Sequence, residues 1–349
     1  MATLKDIAKA TGLSITTVSR VLNNSADEVG ISKKTQAHVR KVAKDLKYFP
    51  NREARNLRLG IRPKAILFLS LFESTTYHEG FWAHPFFGEL MQSIQIEVAK
   101  TGSYMAYLAV DGKKDEYLET LLDDTASAVI SWGHIPKDLK HLLESKQLPV
   151  VAIEPYTESS KFRSIYVDNE LAIRQAVDYL HRLGHRRISL AYLDFDNGDL
   201  NLAFWERATA FEKVVAEFGE EIEGRIEHIA RKAGTTDIEA GRLLGVDILM
   251  KKEKPTAIIA VNDLTAIGII KAAKDCGISV PGDLSVVGID DIEWAQHHDP
   301  PLTTIRIPRQ SLAKKATSTV QSLFKNPQLG EKEVRIGTKL VVRGSTSKL

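Results

Sequence analysis

Ile15, Thr16, Ser19, Arg20 and Asn23 fall on one side of segment 14–23 when it is wound as a helix. Together they offer a forked guanidinium, two hydroxyls, an amide and an aliphatic tip, with neither a general base nor a nucleophile beside one. Such a set suits hydrogen bonding to phosphates and base edges, where a guanidinium reads guanine bidentately and an aliphatic group meets a thymine methyl. Farther along, Glu154, Arg207, Asn262 and Asp290 bring carboxylate, guanidinium and amide chemistry, which suits the adjacent hydroxyls of a sugar. Phe86, with Trp82 and Phe87, is a candidate aromatic plate for the apolar face of such a ring.

The first set needs two helices. Segment 4–10 and segment 14–22 are amphipathic and are separated by Thr11-Gly12-Leu13, where Gly12 can take the positive φ of a tight turn. Ile7, Ala8, Leu13, Val18, Val21 and Leu22 recur at spacings that bury a common seam, and Ser14 is placed to cap the second helix. This is a helix-turn-helix layout, which also arises by chance in helical bundles. Segment 32–46 reads as a third helix, with Ser32 as cap and Val39, Val42, Ala43 and Leu46 inward. After Tyr48-Phe49-Pro50-Asn51, segment 52–59 offers a helix too short to stand alone in water. Arg52, Arg55 and Arg58 make one flank cationic, and Ala54 and Leu57 form a narrow apolar ridge. We expect it to fold on DNA and wedge Leu57 into a minor-groove step; a basic linker without fixed structure is the other reading. Up to Arg62 there are thirteen Lys/Arg against five Asp/Glu, a net +8 that leaves −6 on the remainder of a chain with overall charge +2. A basic small domain joined to an acidic larger one suits DNA at one end and solubility at the other.

The second set needs strand ends. After Gly60-Ile61-Arg62-Pro63 the chain alternates apolar strands of buried length with helices, beginning at 65–71. Strands are expected near 104–108, 128–132, 150–153, 187–192, 225–229, 256–261 and 284–289, and a strand or hairpin at 333–342. Helices are expected at 87–100, 115–122, 137–145, 171–183, 204–218, 238–250, 264–275 and 310–324. This rhythm implies parallel sheets covered on both faces, and about 285 residues fit two doubly wound lobes better than one. Ligands in such sheets bind beyond the carboxyl ends of strands, where Glu154, Asn262 and Asp290 stand, with Arg207 early in its helix. Plainer readings exist: Asn262 and Asp290 as caps or turn residues, Phe86 and Phe87 as core, and Arg207 as a surface partner of Glu206 or a neighbouring acid.

One cysteine, Cys276, permits no internal disulfide, and neither a signal-peptide run nor a stretch of about 20 apolar residues is present, so a cytoplasmic protein with no membrane contact is expected. There is no Gly-rich phosphate loop, metal-ligand spacing or nucleophile–base set, which argues against an enzyme and leaves no call for a cofactor or metal; His84, His185, His297 and His298 read as structural or exposed. An exported sugar-binding receptor would share the two lobes but lack the basic headpiece.

Segment 4–59, with TVSRVLN at 17–23 and YFPN-x-x-A-x-x-L at 48–57, resembles the DNA-binding headpiece of the LacI/GalR family of bacterial transcription regulators. VNDLTAIGIIKA at 261–272, SVPGDLSVVGIDD at 279–291, DPPLTTIRIP at 299–308, LVVRGST at 340–346, YVDN at 166–169 and LGHRRI at 183–188 are similar to its regulatory core, a fold like that of periplasmic sugar-binding proteins. The resemblance implies an all-α helix-turn-helix headpiece with a hinge helix, followed by an α/β two-lobed core. It assigns Ile15, Thr16 and Arg20 to major-groove reading, Ser14, Thr17, Ser19 and Asn23 to phosphates, and Leu57, flanked by Ala54 and Arg58, to the minor groove. Arg207, Asn262 and Asp290 match effector contacts, Glu154 stands where some members carry Asp, and HPFF at 84–87 resembles an N-P-F/Y segment that gives the pocket an aromatic. Ala210 replaces the glycine of R-x-x-G-F, and Ile307 an amide of some members.

The implied organisation is a DNA-binding domain at 1–50, a hinge helix and linker at 51–63, and an effector-binding and dimerisation domain at 64–349. Lobe 1 would take 64–164 and 294–325, and lobe 2 would take 165–293 and 326–349, with crossings near 163–167, 291–295 and 324–328. The expected protein is a homodimeric repressor on a pseudo-palindromic operator, answering to a small-molecule effector, a sugar first and a purine or partner protein second.

Overall fold

The computed structural model describes residues 3–22, 29–46, 48, 65–71, 84–110, 118, 122, 126–146, 148–156, 159–195, 202–232, 234–328 and 330–349. The chain divides into two compact units, Met1–Pro63 and Lys64–Leu349.

In the first unit, helices α1 (Leu4–Thr11), α2 (Ile15–Leu22) and α3 (Lys33–Asp45) enclose Ile7, Ala8, Val18, Val21, Val39 and Ala43. Each helix begins on a side-chain oxygen. Thr3 accepts from the amide of Asp6, Ser14 from that of Thr17 at 3.0 Å, and Ser32 from that of Thr35 at 3.2 Å. Such caps matter most for helices of eight residues, where a large share of the N–H groups has no partner within the helix. Gly12, at φ 71°, closes α1 in the left-handed conformation expected of the turn. Leu46 departs from expectation: it lies one residue past the end of α3 and is exposed rather than packed inward.

The second unit contains, in chain order, strands β1 (Ala65–Ser70), β2 (Tyr104–Ala109), β3 (Ala126–Trp132), β4 (Val150–Ile153), β5 (Arg163–Val167), β6 (Arg187–Phe195), β7 (Glu223–Arg231), β8 (Ala257–Ala260), β9 (Ser285–Asp290), β10 (Thr303–Arg306), β11 (Glu333–Ile336) and β12 (Lys339–Val341). Its helices are α4 (Pro85–Lys100), α5 (Lys137–Ser145), α6 (Asn169–Arg182), α7 (Leu202–Phe218), α8 (Asp237–Leu249), α9 (Asp263–Asp275), α10 (Glu293–His297) and α11 (Arg309–Lys325). One sheet runs β11-β5-β4-β3-β1-β2 and is parallel throughout. The other runs β12-β10-β9-β8-β6-β7, with β12 alone antiparallel. The buried runs of β1, β4, β8 and β9 are those of strands covered on both faces. Most of the expected helix at 115–122 lies outside the described residues.

The lobe boundaries shift from those expected. Strand β10 belongs to the second sheet, between β9 and β12, so the second crossing follows Arg306 instead of falling at 291–295. Strand β11 covers the otherwise open edge of β5 in the first sheet, while β12, two residues later, covers β10 in the second. The tail is therefore one strand per lobe and not a hairpin, and the third crossing lies at 337–338, not at 324–328. The first crossing follows β5, at Asp168.

Candidate functional site

In the first unit, Ser14, Ile15, Thr16 and Arg20 are exposed, with Thr17 and Ser19 half-buried beside them. Val18 and Val21 face the core, which leaves the opposite side of α2 outward as its periodicity requires. The Ser14 hydroxyl both caps α2 and meets Thr17 Oγ1 at 2.8 Å. The plainer role as a cap is thus real, and it holds the N-terminal turn of α2 with Ile15 and Thr16 pointing out. Asn23, Ala54, Leu57 and Arg58, and the whole hinge helix, lie outside the described residues, as does Trp82.

In the second unit, the cleft residues gather where the carboxyl ends of both sheets meet. Arg207, on the second turn of α7, is buried. Its Nε donates to Asn169 Oδ1 at 2.9 Å, Nη1 donates to the Val261 carbonyl beyond β8, and Nη2 stands 3.9 Å from the carboxylate of Asp290 at the end of β9. The expected alternative, a pair with Glu206, does not form; Glu206 instead accepts from Asn169 Nδ2 at 2.7 Å. Asn262 has two tasks at once. Its Oδ1 caps α9 through the Thr265 amide at 2.8 Å, and its Nδ2 donates to Asp237 at 2.7 Å. Asp237 also takes Arg231 Nη1 at 2.7 Å, and across the cleft His84 Nε2 stands 4.0 Å away. Asp237, Arg231, Asn169 and His84 thus belong to the buried polar cluster, though residue types alone did not mark them. The signals present were the YVDN run, the HPFF run and the Thr236-Asp237 helix start.

Glu154 sits just past β4 at φ 52°, fully enclosed. Its carboxylate accepts the Val167 amide at 2.5 Å and the hydroxyl of Tyr156, which also reaches Glu206 of the second lobe at 3.4 Å. Two carboxylates therefore share one phenol beside the first crossing. The aromatic wall comes from the first lobe. Phe86 and Phe87 pack edge-on to each other at 5.2 Å and to Trp132 at 5.6 and 5.4 Å. Both phenylalanines are buried, and Arg309 lies over Phe86 at 5.6 Å.

Burial dominates the electrostatics. It pushes the carboxyl of Asp290 up to about 8, with Asp263 adding to it and Arg207 opposing it. Glu154 rises to about 7, for burial first; the Tyr156 and Val167 hydrogen bonds oppose the rise and nearby Glu206 adds to it. Burial also raises the Tyr156 phenol and lowers His84. Near neutral pH the cleft thus holds protonated or partly protonated carboxyls that can both donate and accept. A separate polar depression of about 470 Å³, lined by Lys140, Ser164 and Lys332, opens at the starts of β5 and β11 and contains none of these residues.

Residues 3–51 match the family described as "Bacterial regulatory proteins, lacI family", and residues 177–346 match the "Periplasmic binding protein-like domain". The HTH-type transcriptional regulator DegA of Bacillus subtilis is 31% identical, covering 99% of this chain and 98% of its own. The HTH-type transcriptional repressor PurR of Vibrio parahaemolyticus is 27% identical over the full length of both. Among solved structures, the Lac repressor dimer bound to operator and the anti-inducer ONPF is similar at TM-score 0.75 and 23% identity, covering 99% of each chain. The CelR–cellobiose complex is similar at TM-score 0.67 and 22% identity, covering 99% of this chain and 100% of that one. A fold shared along the whole chain, and relatives matched from end to end, lead to one conclusion: the chain belongs to the lacI family of bacterial regulatory proteins and is a DNA-binding repressor of transcription, not an enzyme.

Proposed function

We propose that this repressor binds a pseudo-palindromic operator as a homodimer in the bacterial cytoplasm, and that a sugar held between its lobes alters its affinity for that operator. The observation that carries the effector reading is the cluster of Arg207, Asn169, Asp290, Asn262 and Asp237. These buried groups belong to separate elements and converge at the carboxyl ends of the second sheet. Carboxyl, amide and guanidinium in alternation match the donor–acceptor pairs of vicinal hydroxyls, and the phenylalanines and Trp132 line the facing lobe. A structurally similar regulator is solved as a complex with cellobiose, which agrees with this class. On the DNA side, Arg20 reads guanine and Ile15 a thymine methyl, with Thr16 beside them and Ser14, Thr17, Ser19 and Asn23 on phosphates. Ala54, Leu57 and Arg58 enter the minor groove between half-sites.

Fluorescence anisotropy on a palindromic operator, at two salt concentrations and with mono- and disaccharides and a purine base, tests this. Tight, salt-sensitive binding that one sugar weakens supports an inducible repressor; strengthening makes that sugar a corepressor. A response to the purine alone overturns the sugar reading. No preference for operator over random DNA with any ligand overturns the base-reading assignment for that sequence.

A further inference from the structure

Arg309 is the first residue of α11, where the chain has just returned to the first lobe. Its Nη1 donates to the main-chain oxygen of Asp290 at 2.6 Å and its Nη2 to that of Asp291 at 2.8 Å. The same Nη2 lies 2.8 Å from Glu89 on α4, and the guanidinium covers the ring of Phe86 on that helix. One side chain thus joins two residues of the first lobe to two consecutive carbonyls of the second.

Those carbonyls belong to residues with positive φ, 126° at Asp290 and 55° at Asp291. A non-glycine residue in such a conformation is strained and persists only where its surroundings hold it. Part of that hold is local: Asp291 is bound by Arg306 at 2.5 Å and Arg343 at 2.6 Å, both in the second lobe. Among the described residues Asp290 has no such side-chain bond; Arg207 stands 3.9 Å from its carboxylate. The direction of its carboxylate therefore follows the orientation of its own peptide, which Arg309 grips.

We propose that Arg309 is the positioning residue of the effector site. It fixes the strained Asp290–Asp291 peptides so that the Asp290 carboxyl faces the ligand, and through Glu89 and Phe86 it makes that orientation depend on how the first lobe lies against the second. The inference rests on reading the cleft as the effector site. A lysine at this position keeps the charge but cannot span two carbonyls and a carboxylate in a planar fork, so Arg309→Lys should fail as Arg309→Met does.

The test uses the full-length protein in a Cys276→Ser background. Spin labels go at Asp138 on α5 and at Lys252, both exposed and one in each lobe, with labelled protein diluted into unlabelled. Electron double resonance should show the wild-type interlobe distance distribution broadened and shifted in Arg309→Met and Arg309→Lys, and moved the same way in Glu89→Gln. Arg306→Met, which removes a partner of Asp291 within one lobe, should leave it in place. Carbon-detected NMR should show the Asp290 carboxyl titrating at a different midpoint in both Arg309 variants and unchanged in Arg306→Met. Wild-type distances and an unmoved Asp290 midpoint in Arg309→Lys, with only a lower melting temperature, would overturn the proposal and make Arg309 a structural tie. A parallel operator titration with ribose, lactose and cellobiose separates this from the effector reading: without any wild-type response the choice of sugar fails, while the distance and titration readouts still decide on Arg309.

Discussion

Arg20 and Asp290 show how differently two charged side chains work in this protein. Arg20 is exposed on α2, where we propose that it reads the operator. Arg20→Ala should weaken operator binding by about 1–3 kcal/mol and leave random DNA almost unaffected, as competition anisotropy on the two duplexes would show. Asp290 is buried with its carboxyl raised from 3.8 to about 8. Between those values the folded chain holds a proton that the unfolded chain has released, so stability falls as pH rises through the window. Asp290→Asn removes this dependence. Urea unfolding at a series of pH values should give a flatter profile for the variant from about pH 4 to 8, and greater stability than wild type at the alkaline end, on the order of a few kcal/mol. An unchanged slope would mean that Asp290 is ionised in the fold.

Among the elements, α8 and α9 pack closely through glycines. Gly241 and Gly245 on one helix and Gly268 on the other let the backbones approach so closely that a Cβ at Gly268 would overlap the carbonyl oxygen of Ile238, and one at Gly245 would lie 2.8 Å from Ala272 Cβ. This closeness holds Asn262 and Asp237, at the N-terminal ends of α9 and α8, within hydrogen-bond reach. Gly268→Ala should therefore lower stability by about 1–3 kcal/mol or more in urea unfolding, because the obstructing atom is backbone and cannot swing aside. It should also weaken effector binding by displacing Asn262 from Asp237; loss of stability with unaltered ligand affinity would separate the packing from the site. Gly288 on β9 has a related role, leaving room for Asp263 beside it, whose carboxylate accepts the Ile292 amide at 2.9 Å and steadies the segment after Asp290.

For the whole molecule, the proposed coupling between DNA and effector must be reciprocal. If a sugar changes operator affinity, the operator must change sugar affinity by the same factor, typically 5- to 150-fold for 1–3 kcal/mol of coupling. Calorimetric titration of the sugar into free protein and into the protein–operator complex measures one side, and anisotropy measures the other; unequal factors would mean that a further state or site takes part. The net +8 of the first 62 residues also predicts a log–log salt dependence of operator binding governed by the phosphate contacts that these cations make.

What the amino-acid sequence determined alone is local and periodic. The turn at Gly12, the caps at Ser14 and Ser32, the buried seam of the headpiece and the alternation of strand and helix follow from residue types at short spacing, and the structure has each of them. The same holds for the polar residues at strand ends, Glu154, Asn262 and Asp290, whose places follow from the strands before them. Tertiary structure decided which distant elements became neighbours. Nothing in Thr303–Arg306 or Glu333–Ile336 says which sheet receives it, because backbone pairing is the same in either sheet; the choice depends on the length and direction of the crossings between lobes. Asp237, Asn169 and Arg309 stayed hidden for the same reason. Their neighbours in sequence give them ordinary roles at helix starts, and only the closing of two sheets on one cleft brings Asp237 to Asn262, Asn169 to Arg207 and Arg309 to the strained peptides of Asp290 and Asp291.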